Sequence, residues 1–424
     1  MNSSCVAVVG NLDNGGVVFS NNQIISCSFI ENLSTLPNGR IKIKVPSLGL
    51  DELINLPSGV GIKITLSNFE DPDSIPSETT MVLNGTVVKH YSANGGDGVF
   101  GQFSTYVVEF IVAGPNLSFL QLLKGQAILS DSFTAIKKLG SLTKSTILFD
   151  DSSIKTQDQM KWLIVNRNLV TGIDLITSRS YINNDDAMFV SYRADNTIRI
   201  GTLATSFNSS QKQIGYVYAN SRYNIVNTPT QNNNSKNLIY GSFSVSHSSA
   251  IKQSMASAGM TMLSLPTGKS NKTKTQLKGV MPTGTNVPGN NKVNGNTLNL
   301  IYRQDAYMKY HPNTHDYYDM APIIRDAVFS NYSHQIDIIA SGESLVNVGD
   351  VVNVMVPTTG TIESGKDDMN FSKVLSGKYF VHSKLYHIDT GDIFYVKLSL
   401  IKSDITYDTS NYKTLFGIDP SKVK

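Results

Sequence analysis

Both ends of the chain carry segments in which apolar and polar residues alternate with a period of two. Near the N terminus the apolar positions include Ile41, Ile43 and Val45. Near the C terminus they include Phe394, Val396, Leu398 and Leu400. Because successive side chains of a strand point to opposite faces, this pattern predicts antiparallel sheets with one buried face. Turn-forming residues at 37–39 and 57–59 separate the N-terminal strands, and this spacing favours a closed barrel or a sandwich.

The period changes after residues 114–116, Gly-Pro-Asn. Residues 118–123, 132–139 and 157–165 are predicted to form short helices. The third prediction rests on Thr156 and Gln159, which have capping-box spacing, and on Met160, Leu163 and Ile164, which would share one helical face. A strand pair is predicted at 188–192 and 197–203, joined by a polar turn at 194–196.

Residues 205–300 are rich in Asn, Ser, Thr, Lys and Gly, which predicts long exposed loops on a β framework. Strands are expected there at 216–218 and 238–245, and a helix is expected at 317–329 with Pro322 in its first turn. The most protease-sensitive sites are expected within 225–300. The whole pattern predicts a β-rich α+β chain with four segments, 1–113, 114–204, 205–334 and 335–424.

Composition narrows the function classes. Lys and Arg number 36 against 33 Asp and Glu, so the formal charge is only +3, too small for a chain of 424 residues to act as a polycation toward nucleic acid or lipid. The apolar runs fall far short of the ~20 residues that span a bilayer, and the N terminus carries no basic export signal. We therefore expect a soluble protein made in the cytoplasm, with Cys5 and Cys27 reduced.

Two glycine motifs resemble phosphate-binding loops without their context. Residues 96–101 fit G-x-G-x-x-G but lead into a predicted strand, so they indicate a hairpin tip and not a dinucleotide site. Gly268-Lys269-Ser270 resembles the end of a nucleotide-binding loop, but Leu263 stands where that loop requires glycine. The basic run of Lys269, Lys272, Lys274 and Lys278 lacks aromatic stacking partners and indicates a solvated loop.

The histidines give no metal site. His311 and His315, with Asp316 and Asp319, have ligand-like spacing, but Pro312 prevents a helix from running through it, so Asp316 is expected to cap the following helix. His382 and His387 lie five residues apart on a predicted strand and are expected to face opposite ways. No catalytic, cofactor-binding or metal residue is predicted, no cofactor is expected, and we expect the chain not to be an enzyme.

The C-terminal segment resembles the closing barrel of baseplate hub proteins of contractile-tailed phages and of the related VgrG spike proteins. The residues that carry this resemblance are Gly342-Glu343-Ser344-Leu345, Val348-Gly349-Asp350-Val351-Val352-Asn353-Val354, Ser376-Gly377-Lys378-Tyr379-Phe380-Val381, Tyr386-His387 and the run 396–404. They cover about a fifth of the chain. Gln159-Met160-Lys161-Trp162 and Arg179-Ser180 similarly resemble the helix and hairpin domain of such hubs, and residues 205–300 depart from the family pattern.

The resemblance implies two tail-tube-like antiparallel barrels, at 1–113 and 335–424, flanking a mixed helix and hairpin domain at 114–204. It implies a homotrimer in which two similar barrels per chain, related by a rotation near 60°, adapt a trimeric spike to a hexameric tail tube. The implied partners are the tail spike and the first tube ring, with tape-measure and baseplate wedge proteins as further candidates and genomic DNA only in transit. The implied location is the virion tail baseplate, assembled in the host cytoplasm without membrane insertion.

Two other function classes are left open. A carbohydrate-binding or adhesion protein at a virion or cell surface would use the abundant Tyr and Asn of the loops. A glycan or peptidoglycan hydrolase would need acidic residues that converge in a cleft. A hub is expected to be trimeric and internally duplicated, whereas an adhesion protein needs neither property.

Overall fold

The structure of the chain is a computed structural model. It describes residues 2–10, 16–20, 22–46, 60–69, 80–94, 105–114, 119, 121–142, 145–151, 154–183, 186–194, 196–208, 215–217, 235–245, 262–264, 270–271, 301–302, 315, 318, 321–330, 332, 334–341, 346–355, 377–389 and 394–402. The predictions on residues 96–101, 268–269, 272–278 and 311–312 lie outside these residues, as do those on Asp316 and Asp319.

The described residues contain an N-terminal β unit, a central mixed unit and a C-terminal β unit. The N-terminal strands are β1 (Asn2–Val9), β2 (Val17–Phe19), β3 (Ile24–Asn32), β4 (Asn38–Pro46), β5 (Gly61–Phe69), β6 (Thr80–Asn94) and β7 (Thr105–Ala113). The central elements are β8 (Gln126–Ser130), α1 (Ser132–Ser141), β9 (Thr146–Phe149), β10 (Met160–Ile164), α2 (Leu169–Arg179), β11 (Met188–Tyr192), β12 (Thr197–Thr202) and α3 (Leu203–Asn208). The C-terminal elements are β13 (Gly215–Val217), β14 (Ser235–Val245), β15 (Met262–Ser264), β16 (Ser270–Asn271), β17 (Ile301–Tyr302), α4 (Ala321–Ser330), β18 (His334–Ser341), β19 (Val351–Met355), β20 (Gly377–Asp389) and β21 (Phe394–Lys402).

The alternation at the N terminus forms strands with one buried face, as predicted. In β4 the apolar Ile41, Ile43 and Val45 are buried while the intervening basic residues are exposed. Ile41 lies opposite Phe110 of β7, so the inward faces of neighbouring strands stack in one core. The N-terminal strands follow the order β3-β4-β7-β6-β5-β1-β2.

Six C-terminal strands pair in a closed ring, in the order β19-β13-β14-β18-β21-β20 with β20 returning to β19. The ring is mostly antiparallel, but β13 runs parallel to both β14 and β19. It draws β13 and β14 from the 205–334 segment and the other four strands from β18 onward. The strands predicted at 216–218 and 238–245 are thus confirmed as ring members.

Strand β20 also pairs with β3, which joins the two β units into one sheet of 13 strands. Tyr386 lies opposite Phe29 across this joint, and both are buried in a hydrophobic cluster with residues from both units. The two β units therefore share a core as well as a hydrogen-bonded edge.

The central unit packs its helices over small sheets. Asp131 caps α1 by accepting from the Thr134 amide at 3.0 Å, and Ile136 and Leu139 are buried, so the helix predicted at 132–139 is confirmed. Helix α4 also forms, but it begins at Ala321, later than the predicted start at 317, with Pro322 in its first turn. Helix α2 was not predicted, although Asn168 caps it and buried Leu169, Ile173 and Ile176 lie at helical spacing.

The helix predicted at 157–165 is wrong. Residues 160–164 form strand β10, in which Met160, Trp162 and Ile164 are buried and Lys161 and Leu163 are exposed. This is a period of two, so Thr156 and Gln159 cap nothing. Of the helix predicted at 118–123, Phe119 lies in a 3₁₀ turn and Leu122 forms a β-bridge with Asn168, while residues 118 and 120 lie outside the described part of the chain.

Candidate functional site

The central unit exposes an apolar surface on the sheet formed by β8 and β10. We call this surface the outer face; it consists of Leu129, Leu163 and Val165, which are 65%, 36% and 58% exposed. Leu163 lies opposite Ala127, and Leu129 lies opposite Lys161. Grouped exposed side chains of this size commonly mark a surface that another molecule covers.

The opposite side of the same sheet is core, which fixes the orientation of the outer face. Trp162, the single tryptophan of the chain, is 1% exposed, and its indole Nε1 donates to the Ser130 carbonyl at 3.0 Å. Ile128 and Ile164 pack in the same hydrophobic cluster. Because strands alternate, burying these residues forces Leu129 and Leu163 outward.

The rim of the outer face is basic. Lys124, Lys161 and Arg167 are exposed beside the apolar residues. Neither 121–130 nor 160–168 contains an Asp or Glu. The outer face therefore favours a partner whose surface is apolar at its centre and acidic at its margin.

An ion-pair triad connects the central unit to the C-terminal unit. The guanidinium of Arg199 donates from Nε to Asp150 Oδ1 at 2.6 Å and from Nη2 to Asp150 Oδ2 at 3.0 Å, and from Nη1 to Asp350. Burial lowers the pKa of Arg199, but Asp150 and Asp350 outweigh it and raise the pKa. Gly349 stands beside the triad at φ +93°, where a Cβ would lie 2.7 Å from the Phe189 ring.

A second charged cluster joins all three units. Lys384 of β20 is 0% exposed, donates to the Val346 carbonyl, and lies 4.4 Å from the centroid of the Tyr386 ring. Glu31 of β3 is 4% exposed and accepts from the amide of Ala194, in the central unit, at 3.1 Å. Burial lowers the pKa of Lys384 to about 8, while the negative charges of Glu31 and Asp350 oppose that shift.

The charge of Asp350 acts on both Arg199 and Lys384, so one partly buried charge network runs from Asp150 to Glu31. Buried ion pairs contribute little net stability, but they penalise any arrangement that separates their members. The network therefore fixes the outer face relative to both β units.

The start of α1 borders a cleft of about 460 Å³. Its walls include Asp131, Lys137, Asp151 and Lys155, together with Phe133 and Phe149. The two rings pack edge to face, with centroids 5.3 Å apart and planes at 81°. They pack against each other and do not form a flat platform for a sugar ring.

His315, which has ligand-like spacing in the sequence, has a structural role in the fold. His315 is buried, and its Nε2 donates to the carbonyl of Arg179 at 3.0 Å, with its ring between Trp162 and Tyr318. His382 is exposed at a bulge between Val381 and Ser383, whereas His387 is half-buried with its ring centroid 5.0 Å from that of Tyr395. That the two histidines face opposite ways stays a prediction.

Within the described residues, no group of three or more His, Cys, Asp or Glu side chains is arranged to hold a metal ion. In the same part of the chain, none of the helices combines the length and the apolar character needed to span a membrane. Cys5 and Cys27 are both free and buried.

Sequence reasoning missed the outer face and the charge network. Leu129 and Leu163 look like core residues, because the sequence does not show which face of a strand remains uncovered. Lys384 and Glu31 are distant in sequence, so only the β20–β3 register brings them together. The alternation of Met160, Trp162 and Ile164 was the available signal for β10.

No family model and no curated protein matches the chain. Among solved structures, it is similar to the 43 kDa tail protein of prophage MuSo2 from Shewanella oneidensis, with 10% identity, coverage of 95% of this chain and 100% of that chain, and a TM-score of 0.50. It also matches the tail protein from Neisseria meningitidis MC58, with 9% identity, coverage of 95% and 97%, and a TM-score of 0.48. The resemblance to phage tail proteins is thus confirmed at the level of the fold.

Proposed function

We propose that the chain is a structural protein of a phage tail, the hub of the baseplate. The observation that carries this proposal is the outer face, an exposed apolar surface on a central unit that partly buried ion pairs fix to two joined β units. The fold shared with a prophage tail protein over 95% of the chain supports the same role. A protein held by large interfaces needs such a rigid apolar surface, and a net charge of only +3 suits it.

In this proposal the N-terminal and C-terminal β units are tube-like barrels of a contractile tail. Three copies present six barrels, which would adapt a trimeric spike to a hexameric tube. The joint between β20 and β3 supports this arrangement, because it makes the two units of one chain neighbours in a continuous sheet. The chain would be assembled in the host cytoplasm into the baseplate of the virion tail, with the first tube ring, and tape-measure and wedge proteins, as neighbours.

The outer face would bind the tail spike. Its basic rim selects a spike surface with an apolar centre and carboxylates around it, whereas a second copy of this basic surface would repel it. The proposed role is assembly and not catalysis, and the charged network suits a structural role because its members bond to one another and to backbone groups.

Binding of the purified chain to the spike protein of the same phage tests this proposal. Leu129→Asp with Leu163→Asp should weaken binding by about 30-fold or more, as expected for central interface residues. Leu142→Asp is the matched control, because Leu142 is 48% exposed but lies at the end of α1, outside the outer face. Unchanged spike binding by the double variant would contradict the proposal, and loss of self-association instead would assign the face to a second copy.

A further inference from the structure

One small sheet of the central unit ends in an open edge. Its strand order is β11-β12-β9, and β9 pairs with β12 in parallel. The other end of the sheet continues, because Ser191 of β11 forms a β-bridge with Leu33. Among the described residues, no strand lies on the second side of β9. Strand β9 is therefore the edge at which this sheet can accept a further strand.

The hydrogen bonds of β9 show which peptide groups face this edge. The amide of Asp150 donates to the carbonyl of Ile200 at 3.0 Å, on the side of β12. Peptide groups of successive strand residues point to alternate sides, so those of Ile147 and Phe149 point away from β12. In the part of the chain that the structure describes, neither residue has a hydrogen bond on that side. Two N–H donors and two C=O acceptors are thus available to an added strand.

Apolar side chains flank the open edge on both faces. On one face, Leu148 is 44% exposed. On the other face, Ile147 and Phe149 pack against the core of the central unit, and Phe149 lines the cleft of about 460 Å³ together with Phe133 and Ile154. This cleft is large enough to admit an apolar side chain of a strand that runs beside β9. In such strand addition, main-chain hydrogen bonds give affinity and side-chain pockets give specificity.

The neighbourhood of the edge also carries unpaired cations. Helix α1 and strand β9 together contain two lysines and no Asp or Glu. Lys137 and Lys155 border the cleft, and within the described residues neither forms an ion pair. Asp131 and Asp151 border it as well, but each already interacts with another group of the chain, Asp131 with Thr134. The two ammonium groups therefore favour carboxylates in whatever lies along the edge.

We propose that the open edge of β9 is a docking site for an extended segment of another tail protein, which adds a strand with apolar residues at alternate positions and carboxylates at its ends. The choice of a different protein rests on the proposed function. Pairing of β9 with β9 of a second copy would be a two-fold contact, which cannot join three copies around a three-fold axis. A separate chain meets no such restriction.

The probe is a capped, fluorescein-labelled peptide of the sequence Glu-Val-Thr-Val-Thr-Val-Glu, titrated into the purified full chain. We expect saturable binding by fluorescence anisotropy, weakened about 10-fold or more by Leu148→Asp. Leu142→Asp is the matched control, since Leu142 is 48% exposed at the end of α1 and should leave binding unchanged. Two further peptides, N-methylated at the valines or at the threonines, each lose the donors of one edge. One of them should bind and the other should not, because a strand added to β9 uses only one edge.

Hydrogen exchange then identifies the residues that are paired. Bound peptide should slow exchange of the Ile147 and Phe149 amides by about 10-fold or more and leave Leu148 and Asp150, which already face β12, unchanged. This readout and the N-methylated pair need no variant, so a misfolded variant cannot obscure the result.

Three results would overturn the inference. They are no binding up to about 1 mM peptide, an equal effect of the two N-methylation patterns, and a dimer of the free chain that protects the same amides, which would assign the edge to a second copy. If the peptide does not bind while the variants of the outer face still weaken spike binding, this inference fails and the proposed function stands.

Discussion

Lys384 of β20 lies directly opposite Glu31 of β3, and both side chains are almost completely buried. The pair occupies the joint between the two β units, where Glu31 also accepts from the amide of Ala194. A slip of one residue between β20 and β3 would turn Lys384 to the other face of the sheet and leave Glu31 buried without it. The pair therefore specifies the register in which the two units are joined.

Removing one member of this pair should lower the stability of the protein. Lys384→Ala leaves Glu31 as a buried charge, so we expect the free energy of unfolding to fall by about 3–5 kcal/mol, measured by urea denaturation. Lys384→Met combined with Glu31→Leu should be much closer to the wild type, because neither charge remains. Lys42→Ala, at an exposed position of β4, is the control and should change stability by less than about 0.5 kcal/mol. Equal effects of the single and double variants would argue against a coupled pair.

The lowered pKa of the buried Lys384 should make the free energy of unfolding depend on pH. Burial lowers the pKa of Lys384 from 10.5 to about 8. Between pH 8 and pH 10 the unfolded chain holds a proton that the folded chain has released, so this group makes the free energy of unfolding rise with pH, by about 1 kcal/mol per pH unit. Buried Tyr192 and Tyr379, whose pKa values burial raises, act in the opposite direction above pH 10.

The quantity to measure is accordingly the difference between the wild type and Lys384→Met, by denaturation at pH 7.5, 8.5 and 9.5. The wild type should gain stability relative to the variant over this range. A constant difference would show that Lys384 keeps an ordinary pKa in the folded protein.

Arg199 should stabilise the contact between the central and C-terminal units far more than a surface arginine does. In Arg199→Met, Asp150 and Asp350 lose the guanidinium that pairs with both of them, and the free energy of unfolding should fall by about 3–5 kcal/mol. Arg40→Met is the control, because the side chain of Arg40 is 68% exposed and its pair with Glu109 spans 3.7 Å. It should cost less than about 1 kcal/mol in the same denaturation experiment, and similar losses in both variants would contradict the importance of burial.

Trypsin should cut the native chain first between Lys269 and Lys278. That part of the sequence combines Gly, Pro, Asn and Lys and offers little apolar surface to offset chain entropy. Lys42 and Lys397 lie within strands β4 and β21 and should be cut late. First cleavage at either of these two, identified by mass spectrometry of the early fragments, would contradict the prediction.

Local hydrophobic patterns correctly predicted the strands and helices that have one buried face and one solvent-exposed face. Strands β4 and β21 and helix α1 follow from their alternation or helical spacing, because burial of one face imposes that period. Strand β10 was misread because a capping-box spacing at Thr156 and Gln159 outweighed a two-residue period that Trp162 and Ile164 continue. Helix α2 was missed despite its Asn168 cap.

The candidate site could not be predicted from local sequence patterns, because it depends on contacts between residues that are distant in the sequence. The outer face requires knowing that Trp162 faces the core and that no other described element covers Leu129 and Leu163. The charge network requires the β20–β3 register, which joins residues from opposite ends of the chain. Neither relationship can be recognised from neighbouring residues, because a buried lysine has the same kind of sequence context as an exposed one, and an exposed leucine the same as a buried one.

The central claim is that three copies of this chain assemble into a hub in which two similar β units per copy make a ring of six. Native mass spectrometry and cryo-electron microscopy of the purified full chain at tens of micromolar test it most directly. We predict a particle of three times the 46.3 kDa chain mass, with the N-terminal and C-terminal units superposing and related by a rotation near 60° around the ring. A monomer whose two β units do not superpose would contradict the claim, and a trimer without that internal similarity would favour a surface adhesion protein.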